Sequence, residues 1–260
     1  MITNLHTHTV RCGHASGTER EYIETALAGG LTRLGFSDHG TFFLPDKSEL
    51  GGRVQAAQLP EYVSTLTALR KEYEGRIEIP IGLELEFDPL LFDEERTLFR
   101  QNGIEYLILG QHFCGPEGKV SSENSFGNIT EEALVRYVDL VCAAMKTEAY
   151  TYVAHPDAIH YTRDPSFYQR EMRRLLICAK ETGTPLEINF LGIRTHRHYP
   201  NPVFWEIAQG ADVVFGCDAH EANVAFDGAS LAAAEEMIKT YGLHLIEQPA
   251  LKDPYKTLGK

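Results

Sequence analysis

The chain has no run of about 18 apolar residues, so nothing in it reads as a membrane-crossing helix; its densest apolar stretch, residues 137–145, is short and carries Asp139. Its start, MITNLHTHT, has neither the basic opening nor the apolar centre of a secretory signal, which makes the cytoplasm the expected location. Positive charge is scarce, with 24 basic against 37 acidic residues and a net charge of −13, and this argues against a large nucleic-acid footprint. Bound divalent ions would offset part of that negative charge. No CxxC pair occurs, and five is an odd number of cysteines for a disulfide framework. Cys142 and Cys178 fall in helix-like segments and read as core; Cys12, Cys114 and Cys217 read as packing in the wall of a site. No repeat, low-complexity tract or Pro/Ser-rich linker divides the 260 residues, so a single domain spanning 1–260 is expected.

What the chain does contain is alternation. Short apolar runs at 2–5, 34–37, 77–83, 106–110, 151–154, 185–188 and 213–216, with a late one at 243–246, read as strands. Between them lie amphipathic stretches at 19–28, 60–73, 130–146, 165–180 and 230–241, several with an N-terminal Thr or Pro and a following glycine. Strand–helix alternation of this kind is the signature of a parallel α/β sheet, and seven or eight strands suggest a closed barrel more than an open sheet. Residues 41–59 form a long connection carrying Phe42, Phe43 and Leu44.

The chemistry lies at the strand ends. His6-Thr7-His8 follows the first run, Asp38-His39-Gly40 the second, Gln111-His112 the fourth, His155-Pro156 the fifth and Asp218-Ala219-His220 the seventh; the third ends in Glu84-Leu85-Glu86. In a parallel α/β barrel these ends open on one face. Neutral imidazole and carboxylate form the ligand set of zinc, manganese or iron. A single HxH or one strand-end histidine is weak evidence, and the pair His196–His198 reads as accidental. The same residue class after five different strands, with a carboxylate after a sixth, is the signal for a metal site.

These motifs, together with His14, resemble in order and spacing those of the polymerase and histidinol phosphatase (PHP) family, and the match runs from residue 6 to 220. The length and the absence of fused domains resemble its stand-alone histidinol-phosphatase branch. The resemblance implies a distorted (β/α)7 TIM-like barrel with three divalent ions. His6, His8, Glu84 and Asp218 would hold the first, Glu84 with His112 and His155 the second, and His14, His39 and His220 the third. Glu86 is a lesser candidate ligand. Asp38 would support His39 or donate a proton, and Asp38, His39, Glu84 and Asp218 are the candidate catalytic residues. Two departures are visible: Gln111 stands where the family often has a small residue, and Gly216-Cys217 replaces a small polar lead-in.

Divalent ions so arranged can activate water and clamp phosphate oxygens. Arginines would complete phosphate recognition, with Arg194 on a glycine-containing loop after the sixth strand, Arg197 beyond it and Arg163 on the preceding loop as candidates. The expected activity is hydrolysis of a small phosphomonoester, with L-histidinol phosphate the leading substrate by resemblance. A nucleotide or other phosphoesterase on the same barrel is the enzymatic alternative. A non-catalytic metal-binding regulatory module is the alternative of another class, although no expected ligand is missing.

Overall fold

The computed structural model describes residues 1–44, 46–114 and 127–256. Its strands are β1 (Thr3–Asn4), β2 (Arg33–Leu34), β3 (Phe36–His39), β4 (Ile81–Leu85), β5 (Tyr106–Leu109), β6 (Tyr150–Val153), β7 (Leu186–Asn189), β8 (Asp212–Gly216) and β9 (His244–Leu245). The helices are α1 (Glu19–Ala28), α2 (Leu59–Glu72), α3 (Phe92–Asn102), α4 (Glu131–Lys146), α5 (Pro165–Thr182), α6 (Phe190–Thr195), α7 (Pro202–Ile207) and α8 (Gly228–Tyr241). No described helix is long and apolar enough to cross a membrane.

Strands β3 to β9 form one seven-stranded sheet in chain order, and every pairing is parallel. All C-terminal strand ends therefore share a rim, as the alternating pattern predicts. Strands β1 and β2 form a separate parallel pair. Among the described residues no continuous ladder closes the ring. Beyond β1, Thr7 makes an isolated parallel bridge to Ala219 after β8, and its carbonyl accepts from the Ser37 amide of β3 at 2.9 Å. The Asn4 side chain accepts from the Cys217 amide at 3.1 Å. The opening segment is thus held between β3 and β8 near the rim, while β9 pairs with the opposite end of β8. The result is a TIM-like barrel with a distorted seam.

Local sequence accounts for most boundaries. Thr18 and Glu21 form a reciprocal capping box at α1. The Thr130 hydroxyl accepts from the Ala133 amide at α4, and Asp164 with Pro165 starts α5. The expected strand at 77–83 begins later, at Ile81, because Pro80 has no amide to give to a ladder. Three helices were not expected. Helix α3 is short and rich in charge, α7 is six residues long, and α6 occupies the segment read as a loop bearing Arg194.

Two apolar layers result. The larger packs the outward strand residues, such as Leu83, Leu85, Leu107 and Leu109, under the helices. A smaller one fills the barrel interior with Leu5, Tyr106, Ile108, Tyr152, Ala154 and Val214. It forms the floor beneath the rim.

Candidate metal centre

Glu84, on the inner face of β4, is the hub. Its Oε1 lies 2.9 Å from His155 Nε2 and 3.4 Å from His112 Nε2. Its Oε2 lies 2.9 Å from His39 Nδ1, 3.6 Å from His6 Nε2 and 3.8 Å from His8 Nε2. Five imidazoles from four segments thus meet one carboxylate. Gly110 makes this possible, since a Cβ there would stand 2.0 Å from Glu84 Oε1. Asp218 supplies a second centre: its Oδ1 is 3.1 Å from His8 Nε2, 3.3 Å from His220 Nδ1 and 3.7 Å from His6 Nε2. His14 is exposed at the outer edge, with its ring 4.9 Å from His220 and 5.2 Å from His39. Its Nδ1–H donates to the Cys12 carbonyl at 2.9 Å, which leaves Nε2 as its ligating atom. All nine sequence-predicted ligands therefore come together.

The donor set fits divalent cations. His6 Nε2, both nitrogens of His8, His39 Nδ1 and Glu84 Oε2 are buried and make no hydrogen bond. Such atoms are costly to bury unless a cation meets their lone pairs. His6, His8 and Glu84 bring ligating atoms within 4.8 Å of one another, as do His6, His155 and Asp218, and His8, His39 and His220. Cys12 also falls into such a set, with His14 and His220. It donates its thiol to the Thr9 carbonyl, and burial, the largest influence, pushes its pKa up to about 12, so it behaves as wall packing.

The electrostatics agree. Burial disfavours charge on His8, but Asp218, Asp38 and Glu84 outweigh it and raise the ring to about 9. Burial likewise opposes charge on His6, and Glu187, Asp218 and Glu84 again win and raise it. His39 goes the other way, lowered to about 3 by burial and by neighbouring His8. Glu84 and Asp218 are held well below the carboxylate range by the surrounding histidines against the effect of burial. A cluster of anions is asking for positive charge, as protons or as metal.

Behind the ligands stand carboxylates that aim them. Asp38 Oδ2 accepts from the amide and hydroxyl of Thr9, while Oδ1 accepts from the His39 amide and faces His8 Nδ1 at 3.4 Å. Its oxygens are occupied and the neighbouring His8 and His39 lower its pKa against the effect of burial; it supports His39 through the backbone amide, as one expectation had it, and also faces the His8 ring. Glu86 accepts from His112 Nδ1 at 2.7 Å and pairs with Arg53, so it sits behind a ligand and not among the ligands. Glu187 accepts from His6 Nδ1 at 2.7 Å.

Of the three candidate arginines, Arg194 differs from expectation. Arg194 lies on α6, not on a loop, and its two terminal nitrogens donate to the carbonyls of Cys217 and Asp218, each at 2.6 Å. It buttresses the Asp218 turn, where φ is +46°. Arg163 and Arg197 are exposed on the connections after β6 and α6. Sequence reasoning missed Arg53, only 5% exposed, which the 41–59 connection brings against Glu86. It also missed Glu187 and Asn189. Their signal was present: two polar residues at i and i+2 inside a wholly buried strand.

The profile described as PHP domain matches residues 4–190. The chain belongs to the PHP domain family. A probable histidinol-phosphatase of Deinococcus radiodurans is 30% identical to this PHP chain over 85% of it and 86% of the relative. The histidinol-phosphatase of Lactococcus lactis is 28% identical, covering 93% and 91%. Among solved structures, histidinol phosphate phosphatase from Lactococcus lactis, complexed with zinc, L-histidinol and phosphate, superposes with a TM-score of 0.72 over 98% of this chain and 97% of its own. A putative histidinol phosphatase from Listeria monocytogenes gives 0.68 over 88% and 99%. At 22% and 18% identity these two neighbours establish the shared fold.

Proposed function

We propose that this PHP chain is a metal-dependent phosphatase acting on a small phosphomonoester, with L-histidinol phosphate, cleaved to L-histidinol and phosphate, as its substrate. The observation that carries the reading is the meeting of five imidazoles on the Glu84 carboxylate, above an apolar floor that keeps water out from below. The substrate comes from the family relatives, two of which bear the name histidinol-phosphatase without qualification.

Three divalent ions, zinc, manganese or iron, would be held by His6, His8, Glu84 and Asp218, by Glu84, His112 and His155, and by His14, His39 and His220. Bound there, such ions supply an activated water near neutral pH and a positive clamp for phosphate oxygens. Glu84 presents one oxygen to His155 and His112 and the other to His39, His6 and His8, an arrangement suited to joining two ligand sets. Neutral His39 keeps a lone pair available for coordination. Asp38, Glu86 and Glu187 orient ligand rings. Arg163 and Arg197 offer guanidinium groups to the phosphate at the mouth, and Arg194 keeps Asp218 in place.

The test is a panel assay on protein of defined zinc or manganese content, comparing histidinol phosphate with mononucleotides and sugar phosphates. Highest kcat/KM on histidinol phosphate supports the reading. Equal or faster turnover of another ester overturns the named substrate, and no turnover with fully loaded metal overturns the phosphatase.

A further inference from the structure

Glu187 is fully buried at the rim, yet nothing in its chemistry suggests a place in any ligand set: both of its oxygens are engaged by protein donors. Oε1 accepts from His6 Nδ1 at 2.7 Å. Oε2 accepts from the backbone amide of His155 at 2.9 Å and from Asn189 Nδ2 at 2.8 Å. The same Asn189 Nδ2 reaches Asp218 Oδ2 at 3.1 Å. One carboxylate and one amide, two residues apart on β7, therefore touch three ligand residues that arrive on three other segments.

Two features make this more than incidental packing. His155 has φ of +32° and Asp218 φ of +46°, left-handed conformations that non-glycine residues adopt at a cost and keep only when their surroundings impose them. The His155 amide is held by Glu187, and the Asp218 carboxylate by Asn189. The fold also reserves space for this carboxylate, since a Cβ on Gly216 would stand 1.7 Å from Glu187 Oε1. The Gly216 departure noted in the sequence is thereby explained.

We propose that Glu187, with Asn189, is the positioning residue that couples two of the metal sites, fixing the His6 tautomer with Nε2 toward the ion and holding the strained His155 backbone and the Asp218 carboxylate at once. This rests on the metal-site reading above. A carboxylate that accepts from the distal imidazole N–H orients the ring and raises its basicity, and removing such a partner costs 10- to 100-fold in metal affinity. Glutamine cannot replace it. With only one acceptor oxygen, its amide group must face either the His6 Nδ1–H or the His155 N–H, donor against donor.

The experiment is a zinc and cobalt(II) titration of full-length wild type, Glu187→Gln and Asn189→Ser against a chromophoric chelator, alongside circular dichroism of the metal-free proteins. Glu187→Gln is expected to bind 10- to 100-fold more weakly. Its cobalt(II) visible spectrum should change, and the downfield imidazole N–H resonance of the zinc-loaded wild type should disappear. Asn189→Ser should weaken binding in the same direction by several-fold. A folded Glu187→Gln protein with affinity within twofold of wild type and an unaltered cobalt spectrum overturns the inference while leaving the metal site standing. If Glu187→Gln does not fold, wild-type affinity in Asn189→Ser overturns it instead. A wild-type chain that binds neither ion overturns the metal-site reading itself.

Discussion

The barrel interior has two halves built by opposite means from the same strands. Toward the strand starts it is apolar: Tyr106, Ile108, Tyr152 and Val214 fill it, and Gly35 and Gly82 are the spaces that admit the Tyr106 ring, with a Cβ at Gly82 falling 2.4 Å from it. Toward the strand ends it is polar, and glycine has moved to the neighbouring strand, where Gly110 admits Glu84 and Gly216 admits Glu187. Along β5 the inward positions run Tyr106, Ile108, Gly110; along β8 they run Val214, Gly216, Asp218. Both halves are close-packed and buried. The lower gains from removing apolar surface from water, while the upper is favourable only if its anions are matched by protons or metal.

Breaking the upper half should have the largest effect. Glu84→Gln removes the shared carboxylate and is expected to lower kcat by roughly a thousandfold or more, with a drop in bound metal by elemental analysis; unchanged turnover and metal content would remove Glu84 from the hub. Acid should act on the same half. In the metal-free chain His8 is raised to about 9, so metal must displace its proton below that pH. Metal affinity is expected to fall as pH drops from 9, with proton release on loading visible in calorimetry in buffers of different ionisation heat. The sign reverses for folding without metal: the raised His8 stabilises the metal-free fold fully below pH 6.5 and ceases to do so as pH rises through about 9. Thermal melts with and without metal across this window check both signs.

The smaller predictions sharpen the contrast. Glu95 on α3 is buried in the outer layer with one oxygen unbonded, and burial, helped by Glu86 and Asp88, raises its pKa to about 8. Its raised pKa favours folding below pH 4.5, and that contribution is lost as pH climbs through 8. Glu95→Gln should therefore raise stability at pH 8–9 by on the order of 1–3 kcal/mol and change little at pH 4.5, as read by denaturant unfolding. In the lower half, Tyr152 carries a buried hydroxyl with no hydrogen bond. Tyr152→Phe should leave stability unchanged or raise it by about 1 kcal/mol, whereas loss of a polar group from the upper half costs function. A large destabilisation by Tyr152→Phe would mean that the floor, too, depends on polar contacts.

Much of this was legible in the chain. The strand–helix alternation predicted the parallel sheet, and the candidate ligands could be named because all but His14 sit within a few residues of a strand end, a local signal. The helix starts at Thr18, Thr130 and Asp164 were equally local. What escaped was non-local. Helix α6 was read as a loop because Gly192 suggests one; in the structure the Gly192 amide donates to Asn189 Oδ1 as the helix start. Arg194 was read as a phosphate ligand from its position after a strand, and only the folded chain reveals the two carbonyls that take its nitrogens. His6 and His8 do flank the metal centre together, although the strand ends at Asn4; the Thr7 bridge to Ala219, 212 residues away, holds them there.

By itself the sequence determined which residue types stand at which strand ends, and hence the parallel fold and the inventory of imidazoles and carboxylates, because periodicity and spacing are properties of neighbouring residues. Only the tertiary structure decided which carboxylate is shared and which stand behind: Glu84 turns to five rings, while Glu86 faces His112 and Arg53, and Glu187 faces His6 and the His155 amide. Those roles follow from the angle at which separate strands meet around the barrel. That angle is set by long-range packing, including Gly110 just past β5 and Gly216 on β8, each on the strand next to the carboxylate it accommodates.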